Sequence, residues 1–360
     1  MIVSEFIPKP YKSLLDSGSV AYSSPSNIAL VKYWGKKAHQ IPANPSISFT
    51  LNNCKTLTTI KFKKKTTKGF SFEVYLEGVI QKEFKPKIKQ FFQRIEVYLP
   101  FLSAYRFTIE TSNTFPHSSG IASSASGMSA LALCLVQLEQ SLNQETTKTF
   151  FNRKASFLAR LGSGSACRSI EGPLIVWGTH ANIIGSSDLV GIKYPYEVHP
   201  NFSNFCDTIL LVDKGEKQVS STVGHDLMHG HPFSEQRFAQ AHTNMDALIE
   251  VLKTGDLTAF INIVEREALT LHSMMMSSDP YFILMKPNTL EIINKIWTFR
   301  IKTGLCICFT LDAGANVHVL FPENEANEIR EFIKTSLVMH CQNDQFIEDI
   351  LGEGAQSIKI

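Results

Sequence analysis

The chain has 360 residues, of which 44% are hydrophobic and 19% charged; this composition excludes a disordered polypeptide and suits one large domain or two ordinary ones. The formal net charge of +2 is too small for a nucleic-acid or membrane footprint, so we expect neither partner. Seven cysteines without a C-x-x-C pair, and an N-terminus with no signal-like apolar run, predict a reduced, cytoplasmic protein.

Alternating hydrophobicity in the first half predicts several strands and three helices. Residues 46–62 hold two alternating runs separated by Asn52 and Asn53, which predicts a hairpin. Further strands are predicted at 70–78, 105–111 and 173–177, and helices at 88–99, 124–142 and 146–161. The helix over 124–142 is apolar on nearly all sides, so we expect it to be buried.

The second half begins with a predicted buried strand at 207–213. Helices are predicted near 233–253, 256–275 and 287–302, followed by a hairpin of 305–311 and 316–321 and a last helix over 323–337. Mixed strands with segregated helices in each half indicate an α+β fold. We place a domain boundary near residue 200, which gives domains of residues 1–200 and 201–360.

Small, hydroxyl-bearing residues precede the predicted buried helix, where residues 119–127 read S-G-I-A-S-S-A-S-G. A helix N-terminus leaves main-chain N–H groups without partners and carries partial positive charge, so it suits phosphate. Glycine and serine also let the backbone approach a ligand closely. An ordinary serine-capped helix start is the alternative that these residues allow.

Three further polar stretches contain candidate functional side chains. Residues 27–37 (N-I-A-L-V-K-Y-W-G-K-K) place Lys32 and Lys36 around an aromatic pair. This arrangement suits either a site that binds an anion or an ordinary solvent-exposed surface. Residues 162–169 (G-S-G-S-A-C-R-S) combine hydroxyl donors with Arg168, which suits a carboxylate or phosphate but also a plain loop. In T-L-D-A-G-A-N, Asp312 ends an apolar strand, either as a functional carboxylate or as an Asx-type turn.

Three histidines lie close together in the sequence, as metal ligands often do. These residues, His225, His229 and His231, have a spacing that matches no zinc signature, so we predict no protein-bound metal there.

Together these stretches resemble the mevalonate diphosphate decarboxylase family of the GHMP kinase superfamily. The matching motifs, in the family's order from residue 27 to residue 316, are N-x-A-x-x-K-Y-W-G-K, N-x-F-P-x₃-G-x-A-S-S-A-S, R-x-G-S-G-S-A-C-R-S, V-S-S-T-x-G and D-A-G-x-N. Ala122 stands where the kinases of the superfamily carry glycine, which points to the decarboxylase branch. The resemblance implies a two-lobed fold, with a ribosomal-protein-like N-terminal half and a ferredoxin-like C-terminal half around one cleft.

The resemblance implies an activity in isoprenoid biosynthesis. ATP, with Mg²⁺, would phosphorylate the 3-hydroxyl of mevalonate 5-diphosphate, and loss of phosphate and carbon dioxide would give isopentenyl diphosphate. Relatives are commonly homodimers. The alternatives are a decarboxylase of mevalonate monophosphate, a kinase that stops at 3-phosphorylation, and a non-catalytic homologue that binds isoprenoid phosphates. Because Asp312, Lys32 and Arg168 are all retained, the sequence favours the decarboxylase.

The resemblance also implies residue roles. Asp312 matches the catalytic aspartate, Lys32 faces it or the transferring phosphoryl group, and Arg168 matches the arginine that holds the substrate carboxylate. Asn27 is expected to position Arg168. The implied substrate contacts are Tyr33, Lys36, Ser163 and Ser165. The implied nucleotide contacts are Ser119, Gly120, Ser123, Ser124, Ser126 and Asn113.

The resemblance implies no dedicated magnesium ligand. Several positions differ from the residues that are usual in the family. The departures are Lys37, Ala38, Pro45 and His117. Because they lie around the expected entry side, they leave open whether the substrate carries one phosphate or two.

Overall fold

The computed structural model describes residues 3–116, 121–142, 146–214 and 221–360, with the side chains of 221 and 222 excepted. The strands are β1 (Ser17–Val31), β2 (Lys36–Lys37), β3 (Ile41–Pro42), β4 (Ser46–Lys64), β5 (Ser71–Leu76), β6 (Val79–Ile80), β7 (Tyr105–Asn113), β8 (Leu174–Trp177), β9 (Ile192–Lys193), β10 (Cys206–Leu210), β11 (Cys308–Thr310), β12 (Val317–Phe321), β13 (Phe346–Ile350) and β14 (Gln356–Ile358). The helices are α1 (Lys85–Ile95), α2 (Ser123–Leu142), α3 (Lys148–Gly162), α4 (Ser221–Asp226), α5 (Ser234–Thr254), α6 (Leu257–Met276), α7 (Pro287–Thr303) and α8 (Ala326–Phe332).

Two sheets organise the chain. The larger has eight strands in the order β14-β1-β4-β7-β5-β6, with β8 and β9 joined to it through β4. Its pairs are antiparallel except β5 with β7, which run parallel. The smaller sheet has the order β11-β12-β10-β13 and is antiparallel throughout. Mixed sheets with helices packed on them confirm the predicted α+β class.

Three helices cover one face of the larger sheet. α2 packs on β1, β4 and α3, and α1 packs on α3. The apolar stripe of α1 is buried there together with Leu99, which follows the helix; the members of the stripe are Ile88, Phe91, Phe92 and Ile95. α2 buries side chains along its whole length and around its circumference, as its composition predicts.

Helices α5 and α6 join the two sheets. One hydrophobic cluster contains Ile28 and Phe49 from the larger sheet, Leu320 from the smaller sheet, and Met245 and Phe260 from α5 and α6. α6 packs against both β1 and β11, so it lies behind the point where the ends of these two strands meet. The predicted boundary near residue 200 stays a prediction.

The predicted hairpin over 46–62 is wrong, because this segment is one long strand, β4. Its first part pairs with β8 and its second part with β7, while β1 follows it on the other side. Asn52 and Asn53 do not turn the chain, since Asp349 Oδ1 accepts both of their main-chain N–H groups at 2.8 Å. A contact from the far end of the chain therefore replaces the turn that the asparagine pair predicts locally.

The remaining predicted elements are present within a few residues of their predicted bounds. The elements that were not predicted are α4 and the strands β1, β2, β3, β6, β9, β13 and β14. α8 continues as a wider helical turn over Ile333–Leu337, which matches the predicted end of the last helix. All seven cysteines are free thiols. Within the part of the chain that the structure describes, no helix is long and apolar enough to cross a membrane.

Candidate active site

One cavity of about 500 Å³ collects most of the candidate side chains. The ends of β1 and β11, the start of α2 and the turn after α3 all reach its wall. Its lining includes the predicted residues Lys32, Tyr33, Lys36, Asn113, Ser123, Ser124, Ser163, Ser165, Arg168 and Asp312. Residues more than 250 positions apart in the sequence therefore meet in one place, as a shared binding site requires.

Lys32 and Asp312 form an ion pair in this cavity. The Lys32 Nζ lies 3.0 Å from Asp312 Oδ1, and the lysine side chain is 2% exposed while the aspartate side chain is 30% exposed. Burial alone would raise the pKa of Asp312, but the Lys32 ammonium and further cationic neighbours hold that pKa below its usual range. The carboxylate is thus ionised at neutral pH, with its open face toward the cavity.

Arg168 is buried and is oriented by two hydrogen bonds. Its Nε donates to Asn27 Oδ1 at 3.2 Å and its Nη1 to Ser46 Oγ at 2.7 Å. Asn27 is itself held, because its Nδ2 donates to Ser169 Oγ at 2.7 Å. The predicted contact of Asn27 with Arg168 is present in the structure. Since Arg168 also lines the cavity, the rest of its guanidinium faces a space in which an anion can pair with it.

Tyr33 and Lys36 lie at a second part of the wall, beside a histidine that the sequence did not single out for this site. The Tyr33 ring packs on His225, with centroids 4.2 Å apart, and on Trp177. Burial and the Lys36 and Arg168 cations lower the pKa of His225 to about 3, so its Nδ1 accepts the Gly35 N–H at 3.0 Å. Lys36 Nζ lies 3.3 Å from Asp226 Oδ1.

The turn that carries Ser163 and Ser165 approaches Tyr33 closely. The turn itself runs over Gly164–Ser169, and Ser163 is the single residue between it and α3. A Cβ on Gly164 would lie 2.9 Å from both the Tyr33 hydroxyl and the Trp177 ring, so a larger residue would displace one of these side chains. Close packing against Tyr33 and Trp177 therefore explains the second glycine of G-S-G-S-A-C-R-S.

The start of α2 forms the hydroxyl-rich side of the cavity. Ser123 and Ser124 line it, and Lys87 Nζ of α1 donates to Ser124 Oγ at 2.6 Å. Ala122, just before the helix, has a φ of 47°, a left-handed conformation that glycine adopts without strain. The glycine usual in related kinases thus has a physical reason at this position.

Two of the predicted nucleotide contacts lie behind this surface or beside it. Ser126 is fully buried and shares a 2.6 Å hydrogen bond with Thr56, so it supports the loop from within. Thr56 in turn donates to Asn113 Oδ1 at 2.7 Å, and both of these residues line the cavity. Ser119, Gly120 and His117 lie outside the described residues.

Three residues that reach the site were missed by the sequence analysis. Ser46, Lys87 and His225 contact Arg168, Ser124 and Tyr33 respectively. The sequence gives no sign of the role of Lys87, because no local pattern distinguishes a lysine beside a cavity from its neighbours.

No protein metal centre is evident in the described ranges, where no three His, Cys, Asp or Glu side chains gather in a way that could hold a metal ion. Of the three clustered histidines, His231 is buried and its Nε2 lies 3.0 Å from the Met274 carbonyl oxygen. His225 packs on Tyr33 and accepts the Gly35 N–H, so two of the three histidines have structural contacts.

Comparisons with known proteins agree along most of the chain. Residues 24–188 match the family described as diphosphomevalonate decarboxylase-like N-terminal domain, and residues 208–358 match the mevalonate 5-diphosphate decarboxylase C-terminal domain. The diphosphomevalonate decarboxylase of Ganoderma lucidum is 31% identical over 331 residues, which cover 86% of this chain and 80% of the fungal protein.

Solved structures show the same arrangement. The mevalonate diphosphate decarboxylase of Staphylococcus aureus superposes with a TM-score of 0.81 at 26% identity, over 95% of this chain and 98% of that one. The complex of MDDEF with MVAPP, AMPPCP and magnesium gives a TM-score of 0.81 at 27% identity, over 96% of this chain and all of that one.

The two-sheet fold, with a serine-rich helix start facing a lysine–aspartate pair, defines a protein of the GHMP kinase type. This confirms the predicted two-lobed fold. Within that class the chain belongs to the mevalonate diphosphate decarboxylase family, whose members are carboxy-lyases.

Proposed function

We propose that this protein decarboxylates mevalonate 5-diphosphate to isopentenyl diphosphate in an ATP-dependent reaction that passes through 3-phosphorylation. The observation that carries the proposal is the Lys32–Asp312 ion pair, which lines one cavity together with Arg168 and the hydroxyl-rich start of α2. Carboxylate, ammonium and guanidinium are the groups that this chemistry needs for a proton, a phosphoryl group and a substrate carboxylate.

The nucleotide is proposed to lie along α1, α2 and β7. Ser123, Ser124 and the main-chain N–H groups at the start of α2 offer donors to the triphosphate, and Lys87 supplies positive charge beside them. Apolar side chains line the neighbouring part of the cavity and suit the base; they are Val74, Leu76, Phe84, Ile88 and Ile109. Asn113 lies at the edge of this apolar part.

Magnesium is proposed to enter with ATP, because the described residues offer no ready-made metal cluster. Hydroxyl groups such as those of Ser123 and Ser124 fit a metal that is held mainly by phosphate oxygens and water. Bound there, magnesium would screen the charge of the triphosphate.

The substrate is proposed to lie between the two sheets. Tyr33, Lys36, Ser163 and Ser165 would hold its diphosphate, and Arg168 would hold its carboxylate through paired N–H donors. The Lys36–Asp226 contact would have to open or rearrange when the diphosphate binds, since Lys36 cannot neutralise both at full strength. A homodimer also remains our expectation.

Asp312 and Lys32 are proposed to act on the tertiary alcohol. As the 3-oxygen bonds to the γ-phosphorus and the bond to the ADP oxygen breaks, Asp312 accepts the hydroxyl proton. Its low pKa suffices, because the hydroxyl becomes strongly acidic once the new P–O bond forms. The Lys32 ammonium, 3.0 Å away, steadies charge on the transferring group.

In the second stage the C3–O bond breaks and phosphate leaves with its electron pair. The bond between the neighbouring carbon and the carboxylate then breaks, its electrons form the new double bond, and carbon dioxide departs. Asp312 places negative charge beside the developing cation, and Arg168 keeps the carboxylate in line and away from water.

The test of the proposal is a coupled assay with carboxyl-labelled mevalonate 5-phosphate and mevalonate 5-diphosphate side by side. We expect one ADP for each carbon dioxide released from the diphosphate. ATP hydrolysis at the same rate without a mevalonate phosphate would refute the proposal. Preferred turnover of the monophosphate would instead move the substrate assignment to the phosphomevalonate alternative.

Ser124→Ala should raise the ATP requirement or slow phosphoryl transfer while leaving the fold intact. The variant loses a hydroxyl that lies beside the triphosphate and accepts from Lys87. Loss of one hydrogen bond to a charged ligand costs on the order of 1.5–3 kcal/mol. Steady-state ATP kinetics measure the effect, with Ser141→Ala as the control, because Ser141 is exposed at the other end of α2. Equal ATP kinetics in both variants would show that the start of α2 does not bind the nucleotide.

A further inference from the structure

Helix α6 carries two buried polar side chains that reach the main chain on either side of the Lys32–Asp312 pair. Glu267 Oε2 accepts the main-chain N–H of Lys32 at 2.8 Å, and His272 Nε2 lies 3.1 Å from the carbonyl oxygen of Asp312. Glu267 is 0% exposed and His272 1% exposed. They are five residues apart on one helix, about 1.4 turns, so the helix holds them at a fixed separation.

Glu267 is itself held by an arginine of α5. Arg237 Nη1 lies 2.9 Å from Glu267 Oε1, and Arg237 Nη2 lies 2.5 Å from Glu267 Oε2. The same Nη2 donates to the carbonyl oxygen of Lys32 at 3.0 Å. One fully buried ion pair therefore binds both the N–H and the C=O of Lys32.

His272 presents a donor to Asp312. A carbonyl oxygen only accepts, so Nε2 must carry the proton in this contact. Burial lowers the pKa of His272 to about 4, so the ring is neutral near pH 7 and this tautomer persists. The contact is made by the main chain of Asp312 and leaves its carboxylate open to the cavity.

These contacts join elements that are far apart in the chain. Lys32 follows β1 of the larger sheet and Asp312 follows β11 of the smaller one, and α6 packs against both strands. A buried ion pair contributes little stability compared with well-packed apolar residues, because desolvation of the two charges is costly. The Glu267–Arg237 pair does, however, make directional hydrogen bonds to the main chain of Lys32, and apolar residues could not make them.

We propose that Glu267 and His272 of α6, with Arg237 of α5, are positioning residues. Through their contacts with the main chain of Lys32 and Asp312, they fix the distance between these two residues. The inference rests on the proposed function, because its effect is expected in the chemical step. A displacement of about 1 Å at such a pair slows chemistry by on the order of 10²-fold while ligand affinity changes little. Neither Glu267 nor His272 lines the cavity, so neither contacts the ligands directly.

The first test compares Glu267→Gln with Glu265→Gln. Glu265 lies on the same helix and also loses an ion pair, since it accepts from Arg300 Nη1 at 2.7 Å and from Trp297 at 2.8 Å, away from Lys32. We expect Glu267→Gln to lower the single-turnover rate at least about 10-fold with nearly unchanged substrate affinity, and Glu265→Gln to keep the wild-type rate. Equal rates in the two variants would overturn the inference.

The second test holds even if Glu267→Gln does not fold. Glutamine can place an N–H donor near the Asp312 carbonyl, whereas leucine of similar size cannot. His272→Gln should therefore retain most of the single-turnover rate, and His272→Leu should lose about 10-fold or more, with thermal unfolding measured on both. A His272→Leu rate equal to that of His272→Gln would overturn the inference. Absence of turnover in the wild-type protein would refute the proposed function instead.

Discussion

Asp312→Asn should bind nucleotide and substrate nearly normally and yet lose ~10²–10⁴-fold in the chemical step. The amide keeps the size of the side chain and the turn in which the Gly314 N–H donates to the Asp312 carbonyl at 2.7 Å. It cannot accept the hydroxyl proton, and it removes negative charge from beside the developing cation. Single-turnover decarboxylation, measured beside equilibrium binding of the substrate, separates these effects.

The control for this variant is Asp246→Asn. Asp246 is half exposed, contacts Asn182 and His180, and does not line the cavity, so its loss should leave turnover unchanged. If Asp312→Asn lost binding but kept its single-turnover rate, Asp312 would be a positioning residue. If both stayed intact, the aspartate would serve only the D-A-G-A-N turn.

Arg168→Lys should be the second most damaging of these changes, although it conserves the charge. A guanidinium can grip a carboxylate with two parallel N–H donors while Asn27 and Ser46 hold its other side, and an ammonium cannot do both. Loss of such charged hydrogen bonds costs about 1.5–3 kcal/mol, or roughly 10- to 150-fold in turnover. Steady-state kinetics with the substrate, at saturating ATP, measure this loss.

Arg160→Lys is the matched control for Arg168→Lys. Arg160 is equally buried and lies one element earlier, in α3, but donates to the Leu189 carbonyl at 2.8 Å and does not line the cavity. Its replacement should affect thermal stability more than turnover. Unchanged turnover in Arg168→Lys would mean that another group holds the substrate carboxylate.

Local pattern was sufficient for most single elements. The apolar stripe of α1, the all-round burial of α2 and the hairpin of β11 and β12 each depend on residues close together in sequence. The conformation at Ala122 is local too, because its φ of 47° belongs to the backbone just before α2. These are the features that could be predicted without coordinates.

The errors arose where a distant residue overrides a local preference. Asn52 and Asn53 favour a turn, but Asp349 accepts their main-chain N–H groups and the strand runs on. β13 and β14 were missed because short, half-polar strands gain their stability from the strands beside them rather than from their own composition. Ser46 carried no signal of its contact with Arg168.

The sequence by itself determined the residue types of the site, since Lys32, Arg168 and Asp312 stand in motifs whose order identifies the family. Only the tertiary structure decided that Lys32 and Asp312 lie 3.0 Å apart. Their separation depends on how α6 packs between the two sheets and on the buried bonds of Glu267 and His272. The physical reason is that the residue types of a motif are read from a few neighbouring positions. The distance between two sheets depends on how whole helices and strands pack.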